Sequence, residues 1–113
     1  MNRLLKIIFL IALPIAAQSE TYKATNTIQR LGSIDSRENA DFIILNSFRV
    51  AGSCPLSSDN LVVARFKSGE IGNRSYSMAL AARISGKRVS IAVDDTDKNS
   101  EGQCNLRSIE IID

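Results

Sequence analysis

The sequence predicts a mainly β fold, a five-stranded Greek-key barrel of the OB type with one helix between the third and fourth strands. Three observations lead there. Short runs with period-two alternation recur along the chain, between turn-rich stretches. A single stretch, Ser75–Ser85, changes to helical period. That helix falls after three strand-like runs and before two, which is the element order of an OB-fold. A small open α+β sheet is the alternative arrangement of the same elements.

The chain opens with a segment that reads as an export signal. Arg3 and Lys6 make a basic start, and Ile7–Ala17 is an apolar run broken only by Pro14. The run is shorter than the roughly 20 residues a helix needs to span a bilayer. A basic start, a short apolar centre and small residues at the end form a secretory signal, with cleavage expected after Ser19 and, as the second choice, after Ala17. The alternative is a retained membrane anchor. No cysteine lies near the cleavage region, so a lipid on a processed N-terminal cysteine is not expected.

The full chain has 14 Lys and Arg against 12 Asp and Glu. Arg3 and Lys6 lie in the signal, so a single domain from 20 to 113 is neutral overall. Such a domain has no general field to draw nucleic acid, and after cleavage nothing in it calls for a membrane. Its expected address is the periplasm or the external medium.

From residue 20 the elements are read as follows. Residues 20–26 form a polar lead-in. Ile28, Leu31 and Ile34 mark a first strand, with Gly32 as its bend or bulge. Ser33–Ala40 is a polar turn. Phe42–Val50 is the clearest strand of the first half: Phe42, Ile44, Phe48 and Val50 share one parity, and Ile43 and Leu45 lie on the other. Ala51–Asp59 is a loop, rich in Ser with Gly52 and Pro55. Leu61–Phe66 is a third strand, and Lys67–Asn73 a connection. In the helix, Tyr76, Leu80 and Ile84 make one stripe, Asn73 or Ser75 can cap the start, and Gly86 ends it. With that stripe plugging the barrel, truncating Leu80 should cost about 2–5 kcal/mol and truncating Arg83 far less. Val89, Ile91 and Val93 alternate in a fourth strand, Asp94–Gln103 is a polar loop, and Cys104–Ile112 is a fifth strand. Leu106 differs in parity from Ile109 and Ile111, which calls for a bulge near Arg107–Ser108.

The stretch YSMALAARISGKRVSIAV (Tyr76–Val93), with Cys54 before it and CNLRSIEI (Cys104–Ile111) after it, resembles many short exported bacterial proteins. More distantly it resembles the pentamer-forming B subunits of pertussis-like and subtilase-type A–B toxins. The resemblance runs from about Cys54 to Ile112. It implies an OB-fold with a disulfide, a homo-pentameric ring and binding to cell-surface glycans. No sugar-contacting residue can be carried over.

Residue types narrow the chemistry. The chain has no histidine, so histidine catalysis is excluded and zinc is poorly served. A Ser85–Lys87 pair is explained by the helix end, and the acids Asp94, Asp95, Asp97 and Glu101 by a solvated turn. Asp95–Asn99 places alternate oxygens like the start of a calcium loop, but Ser100 stands where Gly belongs and Leu106 where the closing Glu belongs. Asn73-Arg74-Ser75 matches a glycosylation sequon, though a helix cap suffices. Lys87 and Arg88 suit a solvated strand end. An enzyme is not expected, nor a cofactor or metal. Tyr22 is the one aromatic expected to face solvent, and the ligand-binding residues stay unassigned.

Two cysteines allow one intramolecular pairing, Cys54 with Cys104; two free thiols or an intermolecular bridge are the alternatives. Closing a loop of about 50 residues should stabilise the fold by roughly 4 kcal/mol in the chain-entropy picture. Cys54→Ser and Cys104→Ser should therefore lower stability by similar amounts in denaturant unfolding. The double variant should add little, because all three remove the same bond. Clearly additive losses would speak against the pairing.

Overall fold

A computed structural model describes residues 20–33 and 41–112. The signal segment 1–19, the apolar position Ile34 and nearly all of the 33–40 turn lie outside the described residues. The fold is a five-stranded mixed sheet with one helix: β1 (Thr21–Gly32), β2 (Phe42–Leu45), β3 (Ala64–Arg65), α1 (Glu70–Ser85), β4 (Arg88–Lys98) and β5 (Cys104–Ile112). The strand order is cyclic, β1-β2-β3-β5-β4, with β4 returning to β1. All pairings are antiparallel except that of β3 with β5.

β1 is longer than its apolar residues suggest. The supposed lead-in is strand, paired with β4 from Thr21↔Asp94 to Thr27↔Arg88. Its polar side chains are half-exposed or exposed, so backbone pairing rather than burial defines it. The remainder of β1 pairs with β2 from Ile28↔Leu45 to Gly32↔Phe42. Between these the register shifts at Gln29, so the bulge lies there and not at Gly32. The extra residue lets Ile28 and Leu31, of opposite parity, both pack with the core. The Arg83 guanidinium of α1 donates to the Ile28 and Gln29 carbonyls at this bulge, the second at 2.9 Å.

β2 and β3 are shorter than the apolar runs that contain them. β2 stops at Leu45, where Asn46 and Ser47 turn; Ser47 has φ of 66°. Asn46 holds the turn to β1 through its backbone N–H to the Thr27 carbonyl, 3.1 Å, and its side chain to the Thr27 hydroxyl, 2.8 Å. Beyond it Phe48 is buried but Val50 is 72% exposed, so the alternation does not continue. Of Leu61–Phe66 only Ala64–Arg65 is strand, preceded by an isolated bridge, Leu56↔Val62. All six of these residues are nevertheless buried.

The helix corrects the sequence reading most. It begins at Glu70, after Gly69, with no side-chain cap, so Asn73, Ser75 and the sequon lie inside it. Gly86, with φ of 68°, ends it, and the Lys87 N–H returns to the Ala82 carbonyl at 2.9 Å. Leu80 and Ile84 are 44% and 79% exposed. The buried residues are Gly72, Ala79 and Ala82, and Tyr76 sets its ring edge-on to Phe66 at 5.2 Å. Small side chains permit so close an approach. At Gly72 an added Cβ would stand 1.5 Å from the Lys67 carbonyl oxygen.

β4 runs on through Lys98, so the first half of the expected 94–103 loop is strand; the turn itself is Asn99–Gly102, where Asn99 accepts the Glu101 and Gln103 N–H groups through its side chain. In β5, Ala92 faces Ser108 and Val93 faces Leu106, which leaves Arg107 as the extra residue of the expected bulge. The core comprises the inward residues of all five strands, among them Ile43, Leu45, Ala64, Ile91 and Leu106, with Ala79 and Ala82 of the helix.

This packing reverses the expected order of helix variants. Leu80→Ala and Ile84→Ala should each cost well under about 1 kcal/mol, as surface truncations do. Ala82→Leu should cost about 1–3 kcal/mol through overpacking. Arg83→Ala should cost about 1–3 kcal/mol by leaving two strand carbonyls without their donor. Urea unfolding of the four variants measures the order.

Candidate functional site

A candidate site lies on the outer face of the β1–β2–β3 sheet. Alternation sends Ile43, Leu45 and Ala64 inward and places Phe42, Ile44, Val63 and Arg65 on the other side. Arg30 of β1 pairs with Ile44, and Phe42 pairs with both Gly32 and Arg65. The 55–61 segment folds over this face: Leu61 joins Ile44 and Val63 in a small apolar cluster, with Phe42 packed against it. The Ser57 N–H donates to the Leu61 carbonyl at 2.8 Å, and the Asn60 N–H returns to Ser57 at 2.9 Å. What remains open is a cleft of about 220 Å³ with an apolar floor of Phe42, Ile44 and Val63. Its rim carries Arg30, Arg65, Gln103, Leu56, Ser57 and Ser58.

Phe42 organises the cleft. The Arg30 guanidinium carbon lies 5.8 Å from its ring centroid and that of Arg65 lies 5.4 Å away. Both are within the range where a cation is attracted by the ring's quadrupole. The ring is also fixed from below, since a Cβ on Gly32 would fall 2.5 Å from its Cε1 and Cζ atoms. Arg65 is 8% exposed overall, and its Nε donates to Gln103 Oε1 at 2.5 Å. Gln103 is held in turn by the β4–β5 turn, its N–H donating to Asn99 Oδ1 at 2.9 Å. No carboxylate lines this cleft among the described residues.

A second groove follows α1 along β5. Lys67, Arg107, Gly72 and Leu106 line one part, and Arg74, Met78 and Ile109 the next, with Ile71 and Ser75 shared. Two of its cations are paired: Lys67 with Asp97 at 3.2 Å and Arg107 with Asp94 at 3.3 Å. Burial pushes the Asp97 carboxyl up, but hydrogen bonds from Asn105 and Lys67 outweigh it and hold the group below its usual range.

The residues singled out in the sequence scatter. Asp95 accepts the Glu20 N–H at 3.5 Å, Asp97 accepts from Asn105 at 3.1 Å, and Asp94 holds Thr96 and Arg107. Among the described residues no three His, Cys, Asp or Glu side chains gather to hold a metal. Tyr22 packs partly against the core, and its hydroxyl is held by Glu20, which raises its pKa. Cys54 and Cys104 do come together, in a disulfide of 2.02 Å with Cα atoms 5.5 Å apart. Such bonds persist in oxidising compartments. Among the described residues no helix is long and apolar enough to cross a membrane.

Sequence reasoning missed Phe42, Arg30, Arg65 and Gln103. They come from three strands and a turn, and only the register brings them together. One signal was available: Phe42 and Ile44 share a parity opposite to Ile43 and Leu45, so one pair had to leave the core. No protein-family model matches the chain, and neither a curated protein nor a solved structure matches it.

Gly32→Ala tests how the cleft is fixed. The added methyl group should displace the Phe42 ring and cost about 1–3 kcal/mol, as overpacking does. Gly32→Ala combined with Phe42→Leu should recover part of the loss in thermal unfolding, since the shorter side chain vacates the clash.

Proposed function

We propose that this protein is an exported OB-fold module that binds carbohydrate on the outer face of β2 and β3. The cyclic strand order, the parallel β3–β5 pairing and the helix between β3 and β4 support the OB-type barrel over an open sheet. In that fold the face of the second and third strands and the β4–β5 loop bind oligosaccharides or oligonucleotides. The observation that carries the reading is the cleft on this face. An aromatic and aliphatic floor meets a sugar's C–H surface, while Arg30, Gln103, Ser57 and Ser58 offer polar groups to its hydroxyls. A single aromatic ring in the cleft suits a saccharide better than an oligonucleotide, which calls for successive stacking platforms. The leader segment and the disulfide support a periplasmic or secreted location.

The ring-forming version, similar to toxin B subunits, draws on a separate observation. Among the described residues β5 pairs with β3 only at Asn105, so its other residues pair there with a strand on the β4 side alone. β1 over Thr21–Asn26 likewise pairs with β4 alone. Joining these two edges between copies is a head-to-tail contact, and a head-to-tail contact closes into a ring when the rotation allows. The alternative is a monomeric periplasmic accessory protein without a sugar ligand.

A glycan array with the oxidised domain should give selective hits that Phe42→Ala abolishes while its unfolding midpoint stays well above the assay temperature. A blank array would defeat the carbohydrate reading. Light scattering decides the assembly: about five times the monomer mass supports the ring, and a monomer removes the ring and leaves sugar binding to be decided by the array.

A further inference from the structure

We infer that the fold is completed by proteolysis of the Ser19–Glu20 bond, which places a new α-ammonium group on the Asp95 carboxylate and fastens β1 to β4. This inference rests on the export reading and does not depend on the ligand. Thr21 opens β1 opposite Asp94, so Glu20 is the last residue before the ladder. Its nitrogen stands 3.5 Å from Asp95 Oδ1. That is long for an amide donor, whose bonds to oxygen fall at about 2.7–3.2 Å. It lies inside ion-pair range, about 4 Å, and an ammonium can turn three protons where an amide fixes one. The Asp95 N–H donates in return to the Glu20 carbonyl at 3.4 Å, so one residue holds both ends of Glu20.

The surroundings call for a cation at this point. The Tyr22 hydroxyl donates to the Glu20 side chain; that bond first, then loss of solvent and the Glu20 and Asp95 charges, raise the Tyr22 pKa. Asp95 Oδ2 and the same hydroxyl close over Gly52, where an added Cβ would stand 2.2 Å and 2.9 Å from them. Two carboxylates thus converge on one phenol, and neither has an ion-pair partner among the described residues. Lys98, farther along β4, gives its ammonium to Ser53, 2.9 Å to the hydroxyl and 3.4 Å to the carbonyl. An α-ammonium at Glu20 supplies the positive charge beside Asp95 that no side chain provides.

The step is a hydrolysis. The amide C–N bond breaks, water adds its hydroxyl to the Ser19 carbonyl carbon, and the Glu20 nitrogen leaves as an amine that is protonated at neutral pH. The catalyst is a leader peptidase of the exporting membrane, which reads the small residues Ala17 and Ser19. Cleavage after Ala17 would leave Gln18 and Ser19 in front and move the ammonium up to about 7 Å along the chain from Asp95. The geometry therefore selects the bond after Ser19. In the precursor the same nitrogen is a neutral amide, so β1 is held by its ladder without the charge. The domain gains this fastening only once its leader has been removed.

The full precursor is expressed with its own leader in an exporting bacterium, and the recovered protein is weighed intact by mass spectrometry. Its mass should be that of a chain starting at Glu20. A chain starting at Gln18 overturns the inference and leaves the export reading in place, whereas an unprocessed chain overturns both. The charge is then tested by acetylating the α-amine selectively and following urea unfolding, in the natural protein and in Asp95→Asn, as a four-cornered cycle. Acetylation should lower the folding equilibrium constant about two- to fivefold in the natural protein, the worth of an exposed ion pair. It should change nothing in Asp95→Asn. An equal loss in both, or none in either, overturns the inference. The natural protein alone gives a second reading: in about 1 M salt, which screens exposed charges, most of the acetylation loss should vanish, and a loss that persists overturns the ion pair.

Discussion

The Cys54–Cys104 bond is the constraint on which the rest of this small fold depends. The cyclic sheet is held least firmly around β3, by two pairs to β2 and by one pair, Arg65↔Asn105, to β5, which completes it. The disulfide lies beside that weakest joint, since Cys104 immediately precedes Asn105. Its other end, Cys54, is buried in the loop that leads into the cover over β2 and β3. A single covalent link therefore does the work of a missing ladder. It removes unfolded-chain freedom across a separation of 50 residues, roughly 4 kcal/mol in the chain-entropy model. A sheet with a two-residue third strand would otherwise open on this side first.

The cleft inherits its order from the same place. Gln103 precedes Cys104, and Ser57 and Ser58 follow Cys54 by a few residues, so both rims are anchored by the two ends of one bond. The remaining wall comes from β1, whose bulge at Gln29 resets the parity so that Arg30 and Gly32 face outward beside Phe42. That bulge is held by Arg83 from the helix. Core, helix and cleft are thus linked by few contacts, each traceable to a particular residue.

How much of this was legible in the sequence depended on the kind of signal. Element order, the closing Gly86, the β5 bulge and the cysteine pairing could all be read, because each rests on local chemistry or on counting. The length of β1 could not, since Thr21–Asn26 pairs by its backbone and carries few apolar residues. Phe48 and Val50 misled because alternation continues in letters after Ser47 has turned the chain. The helix stripe misled for a deeper reason: a helix lying this close to a sheet buries its smallest side chains, so Leu80 and Ile84 mark the wrong face and Ala79 and Ala82 the right one. The cleft was the least visible of all. Arg30, Phe42, Arg65 and Gln103 are joined by cross-strand register, which a single sequence does not spell out.

The long β1–β4 ladder has a consequence for how the chain acquires its shape. Thr21 pairs with Asp94, so the first strand must wait for nearly the whole domain before its principal partner exists. Such distant pairing makes the search slow. During that delay Cys54 is a thiol whose mate stands near the far end of the chain. A folding helper that shields Cys54, or an oxidant that acts late, would favour the native bond over links between chains. The rate of correct oxidation, rather than final stability, then governs the yield of active protein.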